Sequence, residues 1–129
     1  MSENLPYVRS YQQLLAYKKT VELAEEIFEI TKSFPREELF SLTDQIRRSS
    51  RSSGAQIAEA WGKHLYVKHF ISKLSDAIAE INETEHWADI AYRCEYINIS
   101  VRNNLFQNCY RIKSLIHGMI GKADSFCGK

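Results

Sequence analysis

Cysteine is scarce in this 129-residue chain and badly arranged for covalent work. Cys94, Cys109 and Cys127 are an odd set with no CxxC spacing. That argues against a disulfide framework and predicts reduced thiols in a cytoplasm. Neither sign of charge dominates: 17 Lys and Arg against 16 Asp and Glu leave a net charge of +1. No global field then draws the chain to nucleic acid or membrane, and any such role needs a local patch. The five glycines form neither GxGxxG nor GxxxxGK[ST], and GxSxG is absent. Glu83-x-x-His86 stands alone, whereas a dimetal bundle needs that motif from two helices. The last helical segment has no acidic residue before Asp124. The expectation is no metal, no cofactor and no enzymatic activity. No apolar run approaches a membrane span. The opening MSENLPYVRS lacks a charged segment followed by an apolar run, so cytoplasmic location is expected. Strand signals, repeats and low-complexity tracts are missing too.

What is present is helical periodicity, and the chain is organised around Leu42 to Lys63. Leu42, Ile46, Ser49, Ser53, Ile57 and Ala60 step by three and four and share one face. Ser41 with Asp44 resembles a capping box, and Gly62 is a suitable stop. Ser49, Ser50, Ser52, Ser53, Gly54 and Ala55 lie within seven positions. Serine and glycine are mediocre to poor helix formers, so propensity does not select them. They do let another backbone approach closely. Arg48, Ser52, Ala55 and Glu59 form a second ridge beside the seam. Arg48 and Glu59 are about 16 Å apart along the axis and cannot pair within one helix. That hints at a second interface. Arg47 and Arg51 fall away from the seam and are expected to be exposed.

Three more amphipathic segments flank this one. A first helix, residues 11 to 33, carries Leu14, Tyr17, Val21, Ala24, Phe28 and Thr31 in a heptad. Leu15, Leu23, Ile27 and Ile30 widen its apolar surface beyond what a monomeric bundle needs. Phe34-Pro35 ends it. Residues 36 to 41 connect, with room for one helical turn. A third helix, 67 to 94, has its seam in Phe70, Leu74, Ala77, Ile81, Thr84, Ala88 and Ala91. Ser100 can cap a fourth, 101 to 122, with Leu105, Cys109, Ile112, Ile116 and Met119 inward; Gly118, Gly121 and the polar tail read as a fraying end. Residues 1 to 9 read as an arm whose Leu5 and Tyr7 can dock on the bundle. The fold expected is all-α: one domain, an antiparallel up-and-down four-helix bundle over helices 11–33, 42–62, 67–94 and 101–122.

The second segment, LTDQIRRSSRSSGAQIAEAWGK, resembles the signature of the bacterial four-helix-bundle proteins associated with 23S rRNA intervening sequences. Leu42, Thr43, Gln45, Ile46, Arg47, Arg48, Ser49, Ile57, Ala58 and Glu59 carry the match. Gln56 stands where asparagine is usual, and Ala60 where glycine is usual. Phe34-Pro35 and Phe70-Ile71-x-x-Leu74 extend the resemblance over most of residues 10 to 97. It implies an up-and-down bundle, often a homopentamer, without established enzymatic activity. The accessory proteins of diversity-generating retroelements look similar, which implies RNA or DNA and a reverse transcriptase as partners.

Two functional classes follow. One is a non-enzymatic, oligomeric interaction protein, in which Gln45, Arg48, Ser52, Ala55 and Glu59 are structural or interface residues. The other is a nucleic-acid-binding accessory protein, with Arg47, Arg51 and Lys63 as backbone contacts. Arginine suits that role because its planar fork matches phosphate oxygens. The segment from Leu42 to Lys63 holds Arg47, Arg48, Arg51 and Lys63 against Asp44 and Glu59. The same cluster also reads as surface charge plus one structural arginine. His64 and His69, beside Lys63 and Lys68, read as a solvated turn or as a basic patch that gains charge on mild acidification.

Overall fold

Four long helices run through residues 8–128, which the computed structural model describes. They are α1 (Leu15–Thr31), α2 (Leu42–Gly62), α3 (Val67–Arg93) and α4 (Ile99–Gly121). A single-turn helix, α5 (Ala123–Phe126), follows, and short 3-10 turns occupy Tyr11–Gln13 and Arg36–Glu38. Each long helix packs on the next in sequence, and α4 returns to α1. The connections are too short for anything but antiparallel neighbours, so the result is an all-α up-and-down bundle. α2 and α3 form its most extensive helix pair.

The seams of α2, α3 and α4 are buried as their spacing predicts. Leu42, Ile46, Ile57 and Ala60 of α2 meet Phe70, Leu74, Ala77, Ile81, Ala88 and Ala91 of α3 in one core with Leu105, Cys109, Ile112, Ile116 and Met119 of α4. Burial pushes the Cys109 thiol up to about 12, so it is a packing residue. The small polar residues of α2 are inside as well. Ser49 Oγ lies 2.8 Å from Thr84 Oγ1. Each hydroxyl also has a carbonyl of its own helix within reach, Ile46 for Ser49 at 3.4 Å and Glu80 for Thr84 at 2.9 Å, so neither is left without a partner.

α1 differs from its expected phase. Its buried residues are Ala16, Thr20, Leu23, Ile27 and Thr31. Of the expected heptad, Leu14 and Thr31 are buried, whereas its middle is rotated off the core: Val21 is exposed and Tyr17, Ala24 and Phe28 are half-buried. Both sets step by three and four, so spacing alone does not rank them.

Helix ends depart from expectation for local reasons. Leu14 is extended, so α1 begins at Leu15 and the preceding turn is 3-10. It closes at Thr31, and Lys32, Ser33 and Phe34 bond back three residues instead of four. That tightening is usual where carbonyls run out of helical partners. Ser41 does not cap α2. Its hydroxyl donates to Glu38 Oε1 at 2.6 Å, and that oxygen also accepts from the Leu42 amide at 3.3 Å. The cap of α4 is Asn98, whose Oδ1 accepts from the Val101 amide at 2.8 Å, and not Ser100. α2 does stop at Gly62, but without a left-handed glycine; among the described residues positive φ occurs only at Glu95 and Gly128. Glu95 (φ 64°) closes α3 in a Schellman arrangement: the Tyr96 amide donates to the Ala91 carbonyl and the Glu95 amide to Tyr92. The tail is docked rather than frayed. Ala123, Phe126 and Cys127 are buried, and the Phe126 ring lies 5.9 Å from that of Phe70. Leu5 and Tyr7, expected to dock on the bundle, lie outside the described residues.

Candidate interaction surface on the second helix

α2 contributes three surfaces besides its core seam. The first is a groove shared with α1. Gly54 brings the two helices together: a Cβ built there would lie 2.8 Å from Thr20 Oγ1. This is the close approach that the small-residue run predicts. Along this approach, with Thr20 and Gly54 in its lining, runs an open groove of about 680 Å³. Tyr17, Val21, Ala24 and Phe28 line one wall, and Ser50, Arg51, Ala55 and Ala58 the other. The misplaced heptad of α1 is therefore an accessible apolar wall.

The arginine trio does not act as a unit. Arg47, expected to be exposed, is half-buried. Its Nε donates to Thr31 Oγ1 at 2.8 Å, and its guanidinium sits 4.7 Å from the centroid of the Phe28 ring. Arg51 stays exposed, 5.6 Å from the same ring, and Lys32 approaches it at 4.9 Å. Arginine over a ring face gains from the quadrupole and covers apolar area as well. Arg47 is thus the structural arginine of the cluster. Lys63 lies at the opposite end of α2 from Arg47, about 18 Å along the axis from Arg51, and it is exposed.

The ridge of Arg48, Ser52, Ala55 and Glu59 points outward. Arg48, Ala55 and Glu59 are exposed and Ser52 is half-buried. Glu59 has a partner: Lys73 of α3 approaches its carboxylate at 3.2 Å. The same ammonium reaches Gln56 Oε1 at 3.4 Å. Arg48 forms no ion pair among the described residues. Gln45 is half-buried. Small side chains at Ser52 and Ala55 leave the centre of this ridge low, so another helix can approach it closely.

Sequence reasoning missed a latch at the other end of the bundle. Tyr96, in the α3–α4 connection, donates its hydroxyl proton to Glu38 Oε2 at 2.8 Å. Bonds from Ser41, then Tyr96 and the Leu42 amide, hold the Glu38 carboxyl below its ordinary range. The bond to that carboxylate pushes Tyr96 up to about 12. Nothing in the spacing of residues 38 and 96 announces this contact. His86 of the single Glu-x-x-His motif is exposed, as is Glu83, and lies edge-on to Trp87. No group of three or more His, Cys, Asp or Glu able to hold a metal occurs among the described residues. Nor is any helix among them long and apolar enough to cross a membrane.

The chain is similar over residues 12–118 to the family described as 23S rRNA-intervening sequence protein. A solved structure from Bacteroides thetaiotaomicron VPI-5482, described as a protein with unknown function from the S23 ribosomal protein family, is similar in fold. Identity is 32% and the TM-score 0.74, over 83% of this chain and 96% of that one. No curated protein matches the sequence. With the motif of α2, the bundle topology and a family match spanning all four long helices, the chain belongs to the 23S rRNA-intervening sequence protein family.

Proposed function

We propose that this protein is a non-enzymatic helical-bundle interaction module that works as a homo-oligomer, a pentamer as the family resemblance implies. The observation that carries the reading is the apolar wall of α1. Tyr17, Val21, Ala24 and Phe28 repeat with heptad spacing yet line a groove, with only Tyr17 of the four also packed against the core. A helix needs only one apolar stripe to hold its place in a bundle, so a second stripe calls for a second contact. Helix from another subunit is the natural filling for a groove with small residues on one wall and aromatic rings on the other. The test is multi-angle light scattering of the wild type and of Val21→Lys. The expected result is a multimer for the wild type and a lower mass with unchanged helicity for the variant. A wild-type monomer at micromolar concentration would overturn the reading.

A second reading is a nucleic-acid-binding accessory role, on rRNA or beside a reverse transcriptase. Arg48, Arg51 and Lys63 support it, because all three are exposed and free of ion pairs among the described residues. In a ring each subunit repeats them, and multivalency would raise weak contacts by about 10²-fold. Binding would fall steeply with salt, because phosphate neutralisation releases counterions.

A further inference from the structure

We propose that the α2–α3 end of the bundle is a binding site for single-stranded nucleic acid, formed by Lys63, His64, Tyr66, Lys68 and His69. This rests on the second reading above and relocates its contact away from the arginine cluster. Arg47 is committed to Thr31 and Phe28, and Arg51 leans on the same ring. The Lys63 and Lys68 ammonium groups at the connection from α2 to α3 have no such commitments: neither forms an ion pair among the described residues.

Charge comes first. Between Glu59 and Asp76 the sequence holds no acidic residue, but it holds Lys63, His64, Lys68, His69 and Lys73. Both flanking acids are occupied by Lys73, at 3.2 Å from Glu59 and 3.9 Å from Asp76. Lys63, Lys68 and His69 are exposed. The neighbouring α5 adds Asp124, but Lys122 precedes it. Lys68 and His69 also occupy the first turn of α3, which has no acidic residue. A lysine is disfavoured there by the helix dipole, so folding alone gives no reason for Lys68. A polyanion does.

Aromatic rings come second, and they are interleaved with these cations. Tyr66 is 64% exposed and Leu65 71% exposed, at a turn closed by the Tyr66 amide on the Lys63 carbonyl at 2.9 Å. Tyr66 is inclined to His69 at 45°, with centroids 5.7 Å apart. His64 is stacked on Trp61 at 4.4 Å and 12° and hydrogen-bonded to the Trp61 carbonyl, so its ring is held in a fixed plane. Flat π faces alternating with cations are what sequence-tolerant single-strand binding uses: bases stack, and phosphates find the lysines. A duplex hides its base faces and gains only the second term. An anionic membrane would want a continuous apolar helix face, and here the exposed apolar groups among the cations are only the adjacent Leu65 and Tyr66 at a turn.

The test is fluorescence anisotropy of the full chain with a labelled oligouridine. A perfect RNA duplex and phosphatidylserine vesicles serve as comparison probes. Three double variants are compared at matched helicity and oligomeric mass: Lys63→Ala with Lys68→Ala, Tyr66→Ala with His69→Ala, and Arg48→Ala with Arg51→Ala. The expected result is preference of the wild type for the single strand. Loss of the two lysines should lower the salt slope by about 1.4. Loss of the two rings should weaken binding about 10-fold or more at every salt concentration. Ultraviolet crosslinking of wild type to 4-thiouridine RNA, mapped to residues 63–69, gives the same answer without any variant. If nothing binds any nucleic acid, this site and the second reading fall together. If only the arginine variant loses binding, or crosslinks map elsewhere, the second reading stands and this site falls. Binding to vesicles but not RNA overturns the site as a nucleic-acid surface.

Discussion

Gly54 sets how near α1 and α2 come to each other, and Thr20 is the group it accommodates. A methyl group at 54 meets Thr20 Oγ1 at 2.8 Å, whereas the Thr20 Cβ and the Tyr17 ring lie at an ordinary 3.6 Å. Thr20 cannot swing aside cheaply: it is buried, β-branched, and its hydroxyl donates to the Tyr17 carbonyl at 2.6 Å. Alanine gains about 1 kcal/mol over glycine in helix propensity, but overpacking costs about 1–3 kcal/mol. Gly54→Ala is therefore expected to destabilise. In a Thr20→Ala background the clash is gone and the same change is expected to stabilise by about 1 kcal/mol. Urea unfolding of the four proteins checks this, and additivity of the two changes would show that the close approach is not what requires glycine.

At the scale of the element, the turn before α2 and the connection before α4 are held by one carboxylate. The Glu38 pKa is depressed in the folded protein, by the bond from Ser41 first and Tyr96 second. A depressed carboxyl contributes stability above its unfolded pKa and loses it as pH falls through the folded value. The window is acid, beneath the ordinary 4.5. Asp89 acts in the same direction, through the hydrogen bond from Arg93 first and then that from Arg102. Glu80 acts in the opposite direction: burial raises its pKa, so its contribution is present in acid and lost as pH rises. Tyr96→Phe should flatten the wild-type fall in thermal midpoint between about pH 5 and about pH 3. An equally steep fall in the variant would remove the Tyr96 bond from the account and leave the Ser41 bond as the source of the Glu38 shift.

At the scale of the whole molecule, the bundle has unequal surfaces. Its core is closed by four helices and the docked α5, while the α1–α2 groove and the outer ridge of α2 remain open. Ala55 belongs to both open surfaces. It is exposed in one protomer, so a large side chain there has room in the monomer and meets an obstacle only in an assembly. Ala55→Trp is expected to keep the helicity and unfolding midpoint of an isolated subunit. In the proposed assembly the variant's association should weaken by about 1–3 kcal/mol per contact. Sedimentation velocity over a concentration series measures this, and an unchanged dissociation profile would place the contact elsewhere.

The sequence by itself determined the four long helices, the antiparallel topology and the buried seams of α2, α3 and α4, though not the short α5. Those depend on local spacing and short connections, which a chain carries in its own order. It also determined that α2 is a place of close approach, because runs of serine and glycine have no propensity reason to sit in a helix. Tertiary structure decided which of the two apolar stripes of α1 turns inward, since both fit a helical period and only the neighbours choose between them. It decided that Arg47 is structural, because Thr31 and Phe28 come within reach only once α1 and α2 are side by side. It decided the Glu38–Tyr96 latch and the docking of Phe126 on Phe70. These contacts join residues far apart in the chain, and their partners are set by packing rather than by period.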